Sequence, residues 1–212
     1  MAKDKKKGGK KDEAVDAPLA GRSRLCDKFD NEVRPAVAEK FGITNRMAQP
    51  TLEKITININ MGRHLDETKI PPNVKETVLQ TLMTISGQKP VVLKAKKSVS
   101  NFKVRAGYET AAMVTLRRDR MWHFMDRLIN LAIPRIKDFR GVRTNAFDKG
   151  GTYSLGITEQ AVWPEINMAN VTFSHGMHIN LVFEKSDPKL STAVLKGLGM
   201  PFTRDESDNR KK

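Results

Sequence analysis

The sequence predicts an α+β fold, a mostly antiparallel sheet packed against helices on one side. Strand signals, either period-2 alternation or short β-branched runs, recur at 54–60, 91–93, 109–116, 152–158 and 178–184. Stretches with apolar residues three or four apart separate some of these strands but not all. The order never settles into the strict strand–helix–strand rhythm of a parallel sheet, which leaves antiparallel pairing as the reading. A chain of 212 residues suits one domain with tails and can bury a sizeable core.

Residues 1–20 are rich in Lys, Gly and Asp with almost nothing to bury, and read as a disordered basic extension. One domain then runs over 21–203, and 204–212 is a flexible polar tail. Leu25, Phe29, Val33, Val37 and Phe41 recur every fourth residue and predict a helix stripe closed by Gly42, with Pro35 kinking or splitting it. Ile55, Ile57 and Ile59 alternate with Thr56, Asn58 and Asn60, a strand with one apolar face and one amide/hydroxyl face. Pro71 and Pro72 open a second helix carrying Val74, Val78, Leu82 and Ile85, ended by Ser86-Gly87.

Val91–Leu93 is a short strand, the basic stretch 94–107 follows, and 109–116 is another strand. Asp119 is placed to cap a helix with Trp122, Met125, Leu128, Ile129 and Ala132 on its apolar side, stopped near Pro134. Residues 138–151 are polar, with glycines and arginines, and read as an ordered loop before the strands at 152–158 and 178–184. Asp187 then Pro188 gives an N-cap with proline at the first helical position, opening a last helix to about Leu198.

The chain carries 38 Lys+Arg against 24 Asp+Glu, a formal charge of +14. The excess is not spread: residues 89–143 hold fourteen basic residues against four acids, a net +10. A solubility device spreads its charge, whereas the footprint of an anionic ligand clusters it. A solvated basic face is the alternative. No apolar stretch approaches the roughly 20 residues of a membrane span, and the basic N-terminus lacks a signal-peptide core. The lone Cys26 excludes an intramolecular disulfide framework and fits a reducing, cytoplasmic setting; as a small hydrophobe it explains itself better than as a nucleophile. No membrane partner is expected.

Enzyme chemistry finds no footing. There is no phosphate-cradling P-loop and no dinucleotide fingerprint. Of four histidines only His175 and His178 are close, and no third ligand stands at a supporting spacing. The basic region is too poor in acids for a carboxylate pair that would hold catalytic metals. No catalytic residue, cofactor or metal is expected.

Nucleic-acid signals are stronger. Between Lys94 and Gly107 lie Lys94, Lys96, Lys97, Lys103 and Arg105, interleaved with Ser98, Ser100, Asn101 and the aromatic Phe102. Lysines supply diffuse attraction to phosphate, hydroxyls and amides supply local hydrogen bonds, and Phe102 can stack on a base or ribose. The alternative is a flexible lysine-rich loop with Phe102 folded back as an anchor. Arg117, Arg118 and Arg120 follow where strand meets helix, and arginine forks suit phosphate; Arg120 has the alternative of pairing with Asp119 or a neighbour. Arg135, Lys137, Arg140 and Arg143 continue the run. Asn58 and Asn60 are poor strand formers, so the outward face of their strand is either a surface for ribose hydroxyls and base edges or a plain solvated face.

The runs LEKITININMG (52–62), TISGQKPVVLKAKKSVSNFKVRAGYE (84–109), VTLRRDRMWHFMDRLINLAIPRIKDFRGV (114–142), FDKGGTYSLGITEQAVWPEI (147–166) and MPFTR (200–204) resemble the bacterial form of the ribosomal protein L5 family. The likeness runs in order from about Asn31 to Arg204. It implies an α+β fold, a structural place in the large subunit, binding of 5S rRNA in the central protuberance, and a loop reaching the P-site tRNA. Matched position by position, it assigns Asn60, Gln88 and Thr115 to 5S rRNA contact, with Arg117 and Arg118 beside them. It assigns the tRNA-facing loop to 94–107, with Lys94, Lys96, Lys97, Ser98, Asn101, Phe102, Lys103 and Arg105 its polar, basic and aromatic residues and its tip near 99–103. The implied partners are 5S rRNA, 23S rRNA, P-site tRNA, neighbouring large-subunit proteins and a small-subunit bridge protein. The longer lysine-rich extension, Pro35, the insert at 64–72 and residues 172–175 depart from the family pattern. No heptad-bearing helix is present, so no homo-oligomer is expected.

Two other readings remain: an RNA-processing enzyme with a basic groove, which lacks a titratable cluster, and a nonspecific nucleic-acid compaction protein.

Overall fold

A computed structural model gives the fold of the chain and describes residues 21–62, 69–167 and 173–203. The expected N-terminal extension, the C-terminal tail, His64 with most of the insert at 64–72, and residue 172 lie outside the described residues. The elements in chain order are α1 (Arg24–Lys28), a π-turn (Phe29–Val33), α2 (Arg34–Phe41), β1 (Thr51–Asn60), α3 (Pro72–Ser86), β2 (Val91–Lys94), β3 (Glu109–Leu116), α4 (Arg118–Arg127), a second π-turn (Leu128–Ala132), β4 (Tyr153–Ile157), β5 (Met177–Glu184) and α5 (Pro188–Leu198). The strands form one sheet in the order β2-β3-β1-β5-β4, and every pairing is antiparallel. The α+β expectation holds. Among the described residues no helix is long and apolar enough to cross a membrane.

The inward face of the sheet carries Ile55, Ile57 and Ile59, Val114 and Leu116, Ile179 and Leu181. These join Val78, Leu82 and Ile85 of α3, Phe124 and Met125 of α4, and Val194, Leu195 and Leu198 of α5 in one buried cluster. The three isoleucines are fully buried. A one-residue slip of β1 would turn them to water at about 1.5–3 kcal/mol each, so the register is strongly fixed. That same register decides which polar side chains face outward together.

The first helix answers the question posed by Pro35. A stripe repeating every four residues drifts about 40° per step on a helix of 3.6 residues per turn. The π-turn at 29–33 widens the coil and absorbs part of that drift, so Leu25, Phe29, Val33 and Val37 are all buried. Pro35 follows two residues later; it has no N–H for the carbonyl four residues back, and the widened turn relieves the clash there. The helix is re-threaded rather than broken. Phe41, the last residue of the predicted stripe, has drifted off it and is 37% exposed. The second π-turn stands in the same relation to Pro134, and the chain closes there in a 3₁₀ turn, Ile133–Arg135.

One capping expectation is corrected and the other holds in position but not through the side chain. Asp119 is not the cap of α4: the helix starts at Arg118, Arg117 occupies the N-cap position, and its side chain makes no capping bond. Arg118 reaches the helix through a left-handed backbone at φ 52°, an uncommon geometry for a residue with a Cβ. Asp187 does sit at the N-cap of α5 ahead of Pro188, but its backbone carbonyl accepts from Ser191 N and its side chain makes no capping bond.

The loop expected at 138–151 is ordered, and the C-terminal MPFTR run holds it. Val142 N donates to Pro201 O at 2.8 Å and Thr203 N to Val142 O at 2.9 Å. Gly141, at φ 108°, is required for this approach: a Cβ there would stand 2.6 Å from Thr203 N. Tyr153, buried, donates its hydroxyl to Arg143 O at 2.8 Å, and burial pushes its pKa up to about 12. Cys26 is half-buried against the core.

Candidate nucleic-acid interface

The outward face of the sheet is polar because each strand alternates, and pairing aligns the alternations. Thr115 of β3 lies opposite Thr56 of β1, Thr56 opposite Asn180 of β5, and Asn180 opposite Ser154 of β4. One row of hydroxyls and amides thus crosses four strands. The next row runs Met113, Asn58, His178, Gly156. Asn60 follows two positions further along β1, opposite Ala111. Neutral donors and acceptors on a gently twisted surface match the 2′-hydroxyls and base edges of an RNA minor groove by shape rather than by a base code.

Gln88 and Thr115 are brought together. Gln88 Nε2 donates to Thr115 O at 3.4 Å, and Gln88 N donates to Ser86 Oγ at 3.2 Å. The turn that carries Gln88 is braced from α4: Arg120 Nη1 donates to Gly87 O at 3.3 Å and Arg127 Nη2 to Ile85 O at 2.7 Å. Arg120 therefore pairs with a neighbouring turn rather than with Asp119, and it positions that turn. Arg127 also bonds Glu165 at 2.6 Å. Nothing in the spacing of these arginines announced the bracing, because it depends on α3 ending beside α4.

Asn60 stands apart from that pair. It lies on the same face but four positions along β1 from Thr56, roughly 13 Å. Its Oδ1 accepts from Gly62 N at 2.7 Å, which spends the oxygen on a local turn and leaves the exposed amide NH₂ to donate. The three neutral residues span the face from the Gln88 turn to the root of the basic loop, where Leu93 and Ala111 pair beside Asn60.

Arg117 and Arg118 are both exposed, at the outer end of β3 next to Thr115, and neither forms an ion pair among the described residues. They stand at the uncapped, positive end of α4.

The basic loop is built, not loose. Ala95 N donates to Tyr108 O at 2.8 Å and Gly107 N to Ala95 O at 2.9 Å, closing its root. Val99 and Val104 pair as a bridge, and a 3₁₀ turn at Ser100–Phe102 with Lys103 at φ 52° forms the tip. Ser98 Oγ accepts from Ala106 N at 2.9 Å, so its oxygen serves the loop as well as any ligand. Lys94, Lys96, Lys97, Asn101, Lys103 and Arg105 are exposed, and none of them enters an ion pair among the described residues. Phe102 is 73% exposed at the tip. The alternative in which it folds back as an anchor is overturned. Arg135 and Lys137, just ahead of the clamped loop, and Arg140 and Arg143 on it are likewise exposed. Two acids of the segment are spent on cations outside the loop, Glu109 on Lys75 at 2.7 Å and Asp126 on Arg24 at 2.9 Å, which leaves the loop cations unneutralised. Among the described residues no cluster of three or more His, Cys, Asp or Glu is arranged to hold a metal ion.

The family model described as ribosomal protein L5 matches residues 45–105, and the model for the C-terminus of the same ribosomal family matches residues 109–202. The large ribosomal subunit protein uL5 of Caldanaerobacter subterraneus subsp. tengcongensis is 47% identical over 182 residues, covering 86% of this chain and 99% of its own. That of Alkaliphilus metalliredigens is also 47% identical over 182 residues with the same coverage. That of Acidobacterium capsulatum is 43% identical over 180 residues, 85% of this chain and 97% of its own. Strands from both matched halves interleave in the one sheet. The chain belongs to the ribosomal protein L5 family.

Proposed function

We propose that the chain, a non-catalytic structural component of the large ribosomal subunit in the cytoplasmic ribosome, binds 5S rRNA through the outward face of its sheet and reaches a second RNA, the P-site tRNA, through the basic loop. The single observation that carries this reading is the continuous neutral row Thr115–Thr56–Asn180–Ser154, flanked by Gln88 at one end and by the exposed Arg117 and Arg118. Clustered charge supplies the sequence-independent attraction, and its strength falls steeply with salt. Fixed hydroxyls and amides supply the discrimination for a folded RNA. The loop leaves β3 at its Glu109 end, whereas the row crosses β3 at Thr115 near the other end, and the loop carries its own aromatic tip, which suits a second ligand. The basic surface at 135–143 is a natural contact for 23S rRNA.

Copurification tests the reading. The tagged chain should remain on large subunits through a high-salt wash, and should retain 5S rRNA in a gel shift against excess duplex DNA. A protein that leaves the subunit in salt and is titrated away by bulk DNA is a compaction protein instead.

A further inference from the structure

We propose that His178, lying over Gly156, is a stacking platform for one unpaired nucleotide of the bound RNA, with Asn58 and Asn180 beside it to meet the ribose. This deepens the 5S rRNA reading and rests on it. His178 is paired with Asn58 on one side and Gly156 on the other, so it occupies the outward face well inside the sheet, and it is exposed. Gly156 leaves that part of β4 bare: a Cβ there would stand 3.8 Å from His178 Nδ1, so the imidazole extends over a position that has no side chain. An exposed planar ring backed by strand main chain is a surface on which a nucleobase stacks, and imidazole adds a hydrogen-bond donor.

The neighbours fit a ribose. Asn58 Oδ1 is buried as the side chain stands and has no hydrogen-bond partner among the described residues. An incoming ribose hydroxyl satisfies such an oxygen once the carboxamide turns toward it. Asn180 and Ser154 lie one row away on the same face. Neither row contains a carboxylate, and the first leads to Arg117 and Arg118, so a phosphate-bearing occupant is drawn in without repulsion. The competing use of His178, a metal shared with His175, fails on geometry: His175 is buried before the strand while His178 faces out on it.

Filter binding to in vitro transcribed 5S rRNA tests the platform, with a chemical footprint as the second readout. His178→Ala should weaken binding about tenfold, toward the low end of what one stacked base contributes. His178→Phe keeps the ring and should stay within about threefold of the unaltered chain. Gly156→Val puts a branched side chain where the imidazole lies, displaces the ring from the strand and should weaken binding like His178→Ala. One nucleotide should be protected by the unaltered chain and by His178→Phe, and reactive with His178→Ala. Melting temperatures identify any variant that fails to fold, and His178→Ala alters an exposed side chain and carries the test alone if Gly156→Val unfolds. If His178→Ala binds as tightly as the unaltered chain while the triple change of Asn60, Gln88 and Thr115 to Ala abolishes binding, the platform is refuted and the 5S reading survives. If the unaltered chain does not bind 5S rRNA, both fall. Equal losses in His178→Phe and His178→Ala would refute stacking.

Discussion

Gln88 Nε2 reaches the carbonyl oxygen of Thr115 at 3.4 Å, and this contact joins the turn after α3 to the end of β3. At that length it is a weak bond, worth no more than about 0.5 kcal/mol to the fold. Its significance is positional: two residues far apart in the chain present their amide and hydroxyl at one corner of the sheet, beside Arg117 and Arg118. Binding and folding therefore separate at this corner. Gln88→Ala should leave the denaturation midpoint nearly unchanged while lowering 5S rRNA affinity about tenfold, as parallel urea melts and gel shifts would register.

The loop and the sheet face should respond independently. Replacing Lys94, Lys96 and Lys97 with Gln is expected to leave 5S rRNA affinity within about twofold. Crosslinking of the loop to P-site tRNA should fall, and the dependence of that contact on log salt should flatten by about two to three units if all three lysines meet phosphates. A large loss of 5S affinity in this variant would mean that the two surfaces have been exchanged.

Gly141 is a sharp test of the clamp. With φ at 108° and a would-be Cβ 2.6 Å from Thr203 N, Gly141→Ala forces backbone to move on both sides. We expect a loss of about 2–4 kcal/mol in chemical denaturation, or a detached C-terminal segment seen as faster amide exchange at Val142 and Thr203. Unchanged stability and exchange would contradict the clamp.

Tyr153 gives the chain an alkaline limit. Its folded pKa is raised to about 12 from the ordinary 10.0 because burial disfavours the phenolate. The unfolded chain therefore releases this proton first, so its share of stability is complete below about pH 10 and is lost progressively toward pH 12. Tyr153→Phe should flatten stability against pH in that window while removing the bond to Arg143 O, at a cost of about 1 kcal/mol near neutrality. Denaturation series at pH 8, 10 and 11 would measure both effects.

The strands were legible because period-2 alternation survives any tertiary context that buries one face. Ile55, Ile57 and Ile59 announced β1, and the same alternation placed Thr56, Asn58 and Asn60 opposite them. The first helix was legible as a helix but not in its last turn, since a four-residue repeat says nothing about where a π-turn will absorb the drift. Phe41 was misplaced for that reason. Asp119 was misread because an acid near a helix start is the usual cap, and a left-handed Arg118 has no local signature. The basic loop could be found from composition, yet the exposure of Phe102 could not, since an aromatic among lysines fits either a core anchor or a tip. The bracing of the Gln88 turn by Arg120 and Arg127, the row through Asn180 and Ser154, and the neighbouring row through His178 appear only once strand register and helix packing are known.

The central claim is that the neutral face of the sheet selects 5S rRNA. Its most direct measurement is a gel shift at moderate salt with the full-length chain in which Asn60, Gln88 and Thr115 are all replaced by Ala, alongside a thermal melt. The predicted result is loss of the 5S rRNA complex, at least a hundredfold in affinity, with a melt still cooperative and shifted by only a few degrees. A variant that folds and still binds 5S rRNA with unaltered affinity would contradict it.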